Sequence, residues 1–263
     1  MNNGKIKSTL LNALEDAGRL LETSLAKKKV IEKKSELSLV TETDKQAEEI
    51  VISHIKGSFH DHAILTEESP PAGGSPYRWI IDPLDGTTNF VHGYPVACVS
   101  IAFEDHGELV LGGIFDPFRN ELFIGEKDRG ATLNGNSIAV SEITSLEDAL
   151  VATGFPYDRR ERPDSYLSIV KAFMMKIQGL RRTGSAALDL AYIACGRFDG
   201  FWEFQLQPWD KAAGLVILKE AGAKATNYLG EPLTLEDTQN LVSNGLLHQE
   251  MLEVLEPFKD IKR

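Results

Sequence analysis

Cysteine is scarce: Cys98 and Cys195 are the only two in 263 residues, too few for a disulfide scaffold. Either one disulfide joins them or both are thiols in apolar surroundings, and a reducing compartment favours the second reading. Long apolar runs are missing as well. No window approaches about 18 uninterrupted apolar residues, so the sequence offers no membrane span. The opening MNNGKIKSTLLNALEDAGRLL lacks the apolar stretch of about 7–15 residues that precedes a signal cleavage site. A soluble, cytoplasmic protein is expected.

Positive charge is in short supply too. Asp and Glu number 39 against 28 Lys and Arg, a formal net charge of −11. That field repels a polyphosphate backbone and disfavours general nucleic-acid binding. A small anion can bind only where metal ions or a helix N-terminus reverse the sign locally. The Gly-x-Ser-x-Gly elbow of a serine hydrolase does not occur. What is present is ordinary for a globular protein, 42% hydrophobic and 25% charged. The length fits one large domain or two lobes sharing a core.

Leu10, Leu11, Leu14, Ala17, Leu20, Leu21 and Leu25 recur at helical spacing and predict an amphipathic opening helix. Residues 26–36, AKKKVIEKKSE, read as an exposed basic loop. Thr43 and Gln46 have capping-box spacing for a second helix ending near Lys56–Gly57. Ala63–Thr66 and Trp79–Asp82 read as strands, the second stopped by Pro83. A hairpin over Ala97–Glu104 and Glu108–Phe115 follows, then strands at Glu121–Ile124 and Ala131–Leu133. Helical patterns near 165–178, 185–195 and 210–221 then alternate with strand-like Phe198–Phe204, Ala223–Thr226 and Leu241–Val242. The fold class is α+β running into α/β. One unit over 1–263 is expected, with an α+β lobe at about 1–145 and an α/β lobe at about 146–263.

The densest chemical signal is WIIDPLDGTTNF, residues 79–90. A strand delivers Asp82, Asp85 follows, and Gly86 lets backbone approach a ligand before Thr87–Thr88–Asn89 starts a short helix. Free N–H groups at a helix start bind phosphate oxygens. Two carboxylates beside a phosphate repel it unless divalent cations lie between them, and Mg²⁺ takes oxygen ligands of this kind. An Asp-Gly turn capping a helix fits the same residues. Glu67 and Glu68, and Asp210 of WDKAAG, each follow an apolar strand-like segment. Singly they fit solvated loop charges and a plain helix cap; jointly, three acidic sites so placed are less readily accidental. His60-Asp61-His62 reads as surface loop, because its spacing matches no metal framework. The two cysteines read as core, and Trp202 and Trp209 as packing.

In Asp82-Pro83-Leu84-Asp85-Gly86-Thr87-Thr88-Asn89-Phe90, Glu67-Glu68, Trp209-Asp210-Lys211-Ala212-Ala213-Gly214, Thr41-Glu42-Thr43-Asp44 and Gly184-Ser185-Ala186-Ala187, the sequence resembles the inositol monophosphatase family of Mg²⁺-dependent, Li⁺-sensitive phosphatases. Arg181–Leu190 is similar to bacterial members. The resemblance covers nearly the whole chain and implies a layered α-β-α-β-α sandwich of the sugar-phosphatase type. It also implies two or three Mg²⁺ per site, a homodimer, and myo-inositol 1-phosphate or a similar polyol monophosphate as substrate. Glu67, Asp82 and the Leu84 carbonyl would hold one metal beside the attacking water, and Asp82, Asp85 and Asp210 a second at the leaving oxygen. Thr87 and Asp44, with Glu67, would activate the water. Backbone N–H groups of Gly86 and Thr87 would grip phosphate. Asp85, Gly184, Ser185, Ala186, Glu203 and Asp210 would line the alcohol, Glu203 accepting from ring hydroxyls.

Alternatives sharing that core are phosphatases for fructose 1,6-bisphosphate, 3′-phosphoadenosine 5′-phosphate or histidinol phosphate. Thr88-Asn89-Phe90 and Glu203 look more like the inositol branch. A regulatory binding protein on the same fold is an alternative of another class. One departure concerns Ser38, which stands where family members often carry an acid. Lys33 aligns with a residue near the active site on a mobile family segment, or belongs to a solvated lysine run with Lys27, Lys28 and Lys29.

Overall fold

The computed structural model describes residues 3–27, 31–33 and 39–260, with backbone alone for 31–33, 39 and 40. Helix α1 (Asn3–Ser24) leads through the antiparallel pair β1 (Ile31–Lys33) and β2 (Leu39–Thr41) into α2 (Glu42–Ser58). Strand β3 (Ala63–Thr66) lies parallel to β4 (Tyr77–Asp85), which runs into the short helix α3 (Thr87–Val91). An antiparallel run follows: β5 (Cys98–Asp105), β6 (Glu108–Asp116), β7 (Glu121–Glu126), β8 (Gly130–Leu133) and β9 (Asn136–Ile138). The remainder is β10 (Leu150–Thr153), α4 (Pro163–Met174), β11 (Gly179–Arg181), α5 (Ala186–Ala194), β12 (Gly200–Phe204), α6 (Pro208–Glu220), β13 (Lys224–Thr226), β14 (Gln239–Ser243) and α7 (His248–Leu255).

Strands β3 to β9 form a seven-stranded sheet in chain order, and the second sheet has the order β11-β10-β12-β14-β13. The period of two along each strand divides the core. In β4, Trp79 and Ile81 face the apolar stripe of α1 and α2 (Leu10, Leu14, Val51, Ile55), while Ile80 faces the opposite side. There it meets α5 and α6 through Leu188, Ala191, Ala213 and Ile217. The far face of the second sheet packs Val151, Trp202 and Leu241 against Ile169, Phe173 and Met251 of α4 and α7. The result is the α-β-α-β-α sandwich.

Several local expectations need correction. The basic stretch 26–36 is not all loop, since Ile31–Lys33 pairs with Leu39–Thr41; Lys28, Lys29, Ser38 and the Lys33 side chain lie outside the described residues. The capping box of α2 is Thr41 with Asp44, because the Asp44 carboxylate reaches back to the Thr41 N–H at 2.8 Å. Strand β4 passes Pro83 to Asp85. A bulge between Asp82 and Asp85 leaves Pro83 opposite no ladder partner, and β3 ends its pairing at Ile81, so the missing N–H loses no bond. His62 is buried, stacked on Phe59, and accepts the Trp79 indole N–H at 3.0 Å. Elements β9, β10, β11 and α7 carried no anticipated signal.

Candidate active site

Strand β4, the loops after β3 and β10, the starts of α5 and α6, and the end of β12 meet around a cleft of about 600 Å³. Its walls include Glu67, Asp82, Leu84, Asp85, Gly86, Thr87, Gly184, Ser185, Ala186, Glu203 and Asp210. Asp44 stands behind them, fully buried, and accepts the Thr87 hydroxyl at 3.0 Å. The same hydroxyl lies 3.0 Å from the Leu84 carbonyl. Every site residue anticipated from the sequence is thus brought to one place.

The bulge aims the acids. Asp82 is buried and accepts the Leu84 N–H at 3.0 Å, which closes the turn over Pro83. Gly86 caps α3 with φ 94°, and a Cβ there would lie 2.8 Å from the Val96 carbonyl; only glycine fits. Asp85 points at the start of α5, where Oδ2 accepts the Ser185 hydroxyl at 2.6 Å and the Ala187 N–H at 2.7 Å. Asp210 is the third residue of α6 rather than its cap; its carboxylate accepts the Gln207 N–H at 2.7 Å. On β12, Glu203 lies across Gly154, where any side chain would overlap its carboxylate.

These acids hold their protons more tightly than usual. Burial pushes Asp82 well above the carboxylate range, and Glu67, Asp85 and Asp210 add repulsion. Burial also raises Asp85 to about 6, opposed by the Ser185 and Ala187 hydrogen bonds. Asp210 is raised by burial and then by Asp85. Glu203 is raised to about 8 by burial, against the pull of Arg182. The donor set is all oxygen, which is the chemistry of a hard divalent cation, and a cation would relieve the repulsion. Among the described residues, no three His, Cys, Asp or Glu side chains already converge at metal-ligand spacing. Glu67, Asp82, Asp85 and Asp210 nonetheless line one cleft, which supplies the oxygen donors such cations take.

Over residues 3–259 the chain matches the inositol monophosphatase family. It belongs to that family. Like the family, it is a phosphatase. The inositol-1-monophosphatase of Synechocystis is 48% identical over 219 residues, 82% of this chain and 76% of the relative. Nus factor SuhB of Pseudomonas aeruginosa is 39% identical over 255 residues, 94% of each protein. The solved inositol monophosphatase of Anabaena superposes with a TM-score of 0.88 at 40% identity, covering 98% of this chain and 97% of that one.

Within this phosphatase site, several residues stand beyond those assigned a site role from the sequence. Asp189, buried in the first turn of α5, lines the cleft and accepts the Thr183 hydroxyl at 2.7 Å. Asn89 donates to the carbonyls of Val96 and Thr183, both at 2.9 Å, tying the α3 turn to the loop before α5. Arg159 and Arg182 also line the cleft. Cys98 is core, as read, yet its thiol sits 3.7 Å from the Ser185 hydroxyl, and burial, then Asp85, pushes its proton affinity up. No local sequence signal distinguishes Asp189 or Cys98, because each owes its place to burial and to a partner in the fold.

Proposed function

We propose that this phosphatase hydrolyses myo-inositol 1-phosphate or a similar small polyol monophosphate, using two or three Mg²⁺ ions. What carries the reading is one cleft holding Glu67, Asp82, Asp85 and Asp210 in mutual repulsion, with Glu203 added from a separate strand. Glu67, Asp82 and the Leu84 carbonyl would hold one ion; Asp82, Asp85 and Asp210 would hold another. When bound, the ions supply positive charge that acidifies the attacking water and neutralises the entering and leaving oxygens. Uncatalysed hydrolysis is slow enough that accelerations approach ~10²¹, so charge neutralisation of this kind is needed.

The protein's own groups do the rest. Thr87 donates its hydroxyl hydrogen bond to Asp44, which leaves its oxygen able to accept from a water held near Glu67. N–H groups of Gly86 and Thr87 would donate to phosphate oxygens. Gly184, Ser185 and Ala186 would wall the alcohol, and Glu203 would accept its hydroxyl protons. The 48% identical Synechocystis relative bears the name inositol-1-monophosphatase, which supports the substrate.

Arg159 and Arg182 favour a second reading, a sugar bisphosphate such as fructose 1,6-bisphosphate, whose far phosphate would find cationic partners on the cleft wall. The Nus factor name of the Pseudomonas relative supports a regulatory partner in addition to catalysis. We extend the reading to one catalytic unit over the whole chain, a homodimer, a cytoplasmic location and Li⁺ inhibition. The test is phosphate release from inositol 1-phosphate, fructose 1,6-bisphosphate, 3′-phosphoadenosine 5′-phosphate and histidinol phosphate, with Mg²⁺, with EDTA and with added Li⁺. Mg²⁺-dependent preference for inositol 1-phosphate is expected. Preference for the bisphosphate would transfer the site to the second reading, and no release from any would leave the regulatory one.

A further inference from the structure

Helix α2 carries two buried acids one turn apart, Asp44 and Glu48, so both carboxylates leave the same face. Asp44 holds Thr87. Glu48 does not line the cleft, is 4% exposed, and holds a different loop. Its Oε2 accepts the Thr66 hydroxyl at 2.6 Å and the Glu68 N–H at 3.1 Å, and its other oxygen accepts the Ser69 hydroxyl. Those partners bracket Glu67 on both sides. A carboxylate buried beside an apolar core persists when its lone pairs are filled, and here the loop carrying Glu67 fills them. Strand pairing of β3 ends at Thr66, one residue before Glu67.

We propose that Glu48 is a positioning residue for Glu67, fixing the chain before and after it so that the Glu67 carboxylate stays on the cleft wall, and that divalent-cation affinity depends on this brace. The inference rests on the reading of Glu67 as a metal ligand. Helix α2 then braces both halves of the water-activating group, Thr87 through Asp44 and Glu67 through Glu48. A carboxylate suits the task because it accepts several bonds at once with both oxygens. An amide at this position would turn a donor toward either the Glu68 N–H or the Ser69 hydroxyl, and only the hydroxyl can turn to accept it.

The experiment measures binding of Mn²⁺ alone, an oxygen-seeking stand-in for Mg²⁺, by loss of the free-ion paramagnetic resonance signal. The variants are Glu67→Gln, Glu48→Ala, Glu48→Gln and Val51→Ala. Val51 is buried in the same helix and does not line the cleft. Glu67→Gln is expected to weaken Mn²⁺ binding; unchanged binding there would overturn the ligand assignment itself. With that in place, Glu48→Ala is expected to weaken binding about 10-fold or more, the usual cost of removing a ligand's support. Glu48→Gln should fall between Glu48→Ala and wild type, and Val51→Ala should lower Tm while keeping wild-type affinity. Wild-type affinity in folded Glu48→Ala, or equal weakening by Val51→Ala, overturns the brace and leaves Glu67 as a ligand. If Glu48→Ala does not fold, Thr66→Val and Ser69→Ala each remove one bond, and wild-type affinity in both overturns the proposal.

Discussion

Burial, then Glu67, Asp85 and Asp210, in that order, raise the proton affinity of Asp82. A side chain on which three like charges converge is the one through which cations would be shared, so its removal should be the costliest. Asp82→Asn keeps the shape and the Leu84 N–H acceptor but removes the charge. It is expected to lower phosphatase turnover about 100-fold or more with folding intact; near-wild-type turnover in a folded variant would refute the assignment. Glu203 should act differently, because it would contact only the alcohol. Glu203→Gln is expected to raise KM for a polyol phosphate about 10-fold while kcat stays near wild type, as steady-state kinetics would show. At this scale the sequence was legible where chemistry is written in contiguous strings, as in Asp82–Asn89. It was silent on Glu48, Asp189 and Lys211. Lys211 sits inside the WDKAAG string yet is fully buried, its ammonium donating to the Asp237 carbonyl at 2.6 Å and to Asn240 Oδ1 at 3.1 Å. Nothing local distinguishes such a lysine from a solvated one; only the strand that covers it does.

Elements place those side chains by how closely backbones approach. Helix α6 crosses the seven-stranded sheet at Gly112, where a Cβ would lie 2.5 Å from the Ala213 carbonyl. The helix therefore rests on bare backbone, and Asp210 rides on its first turn. Gly112→Ala must lift α6, at a cost of about 1–3 kcal/mol, and should lower kcat/KM along with Tm. Gly57→Ala in α2 is the control: nothing lies within 4 Å of a Cβ there, and helix propensity should leave stability unchanged or raise it by about 0.5–1 kcal/mol. A Gly112→Ala variant that loses Tm but keeps full activity would break the link between helix seating and the site. Periodicity revealed α1, which buries one apolar face, while α5 and β5, buried almost throughout, stood out as continuous apolar runs. It missed β10, β11 and α7, where short elements bury residues against partners distant in sequence. It also placed the end of β4 at Pro83, because a bulge that excuses a proline is visible only once the neighbouring strand is in place.

At the scale of the molecule, the cleft lies where the two sheets and the helices between them meet, so acids from distant parts of the chain share one cleft. That has a consequence for stability. Asp85 is raised to about 6 and Glu203 from 4.5 to about 8, so the folded chain holds protons that the unfolded chain releases near pH 4–5. The folded state then binds more protons than the unfolded one, and stability must fall as pH rises through that window. His248 works in the opposite sense. Buried between Thr226 and Ser243, its ring is lowered from 6.5 to about 4, so the unfolded chain binds the extra proton, and stability is lost as pH falls from 6.5 toward 4. Between about pH 4.5 and 6 the two carboxylates outweigh the single imidazole, so in EDTA Tm should fall as pH rises from about 4.5 to 8, with His248 only blunting the fall below pH 6.5. Saturating Mg²⁺ should lift the alkaline end of the profile, by several degrees at pH 8, because cations binding the ionised carboxylates favour the folded state there. It should matter little near pH 4.5, where the cleft carboxylates keep their protons, and His248→Gln should steepen the fall below pH 6.5 without touching it above. A Tm profile in EDTA that keeps rising from pH 6.5 to 8 would mean that the cleft acids are not held protonated by burial and by one another, and the electrostatic case for cations in this cleft would fall with it.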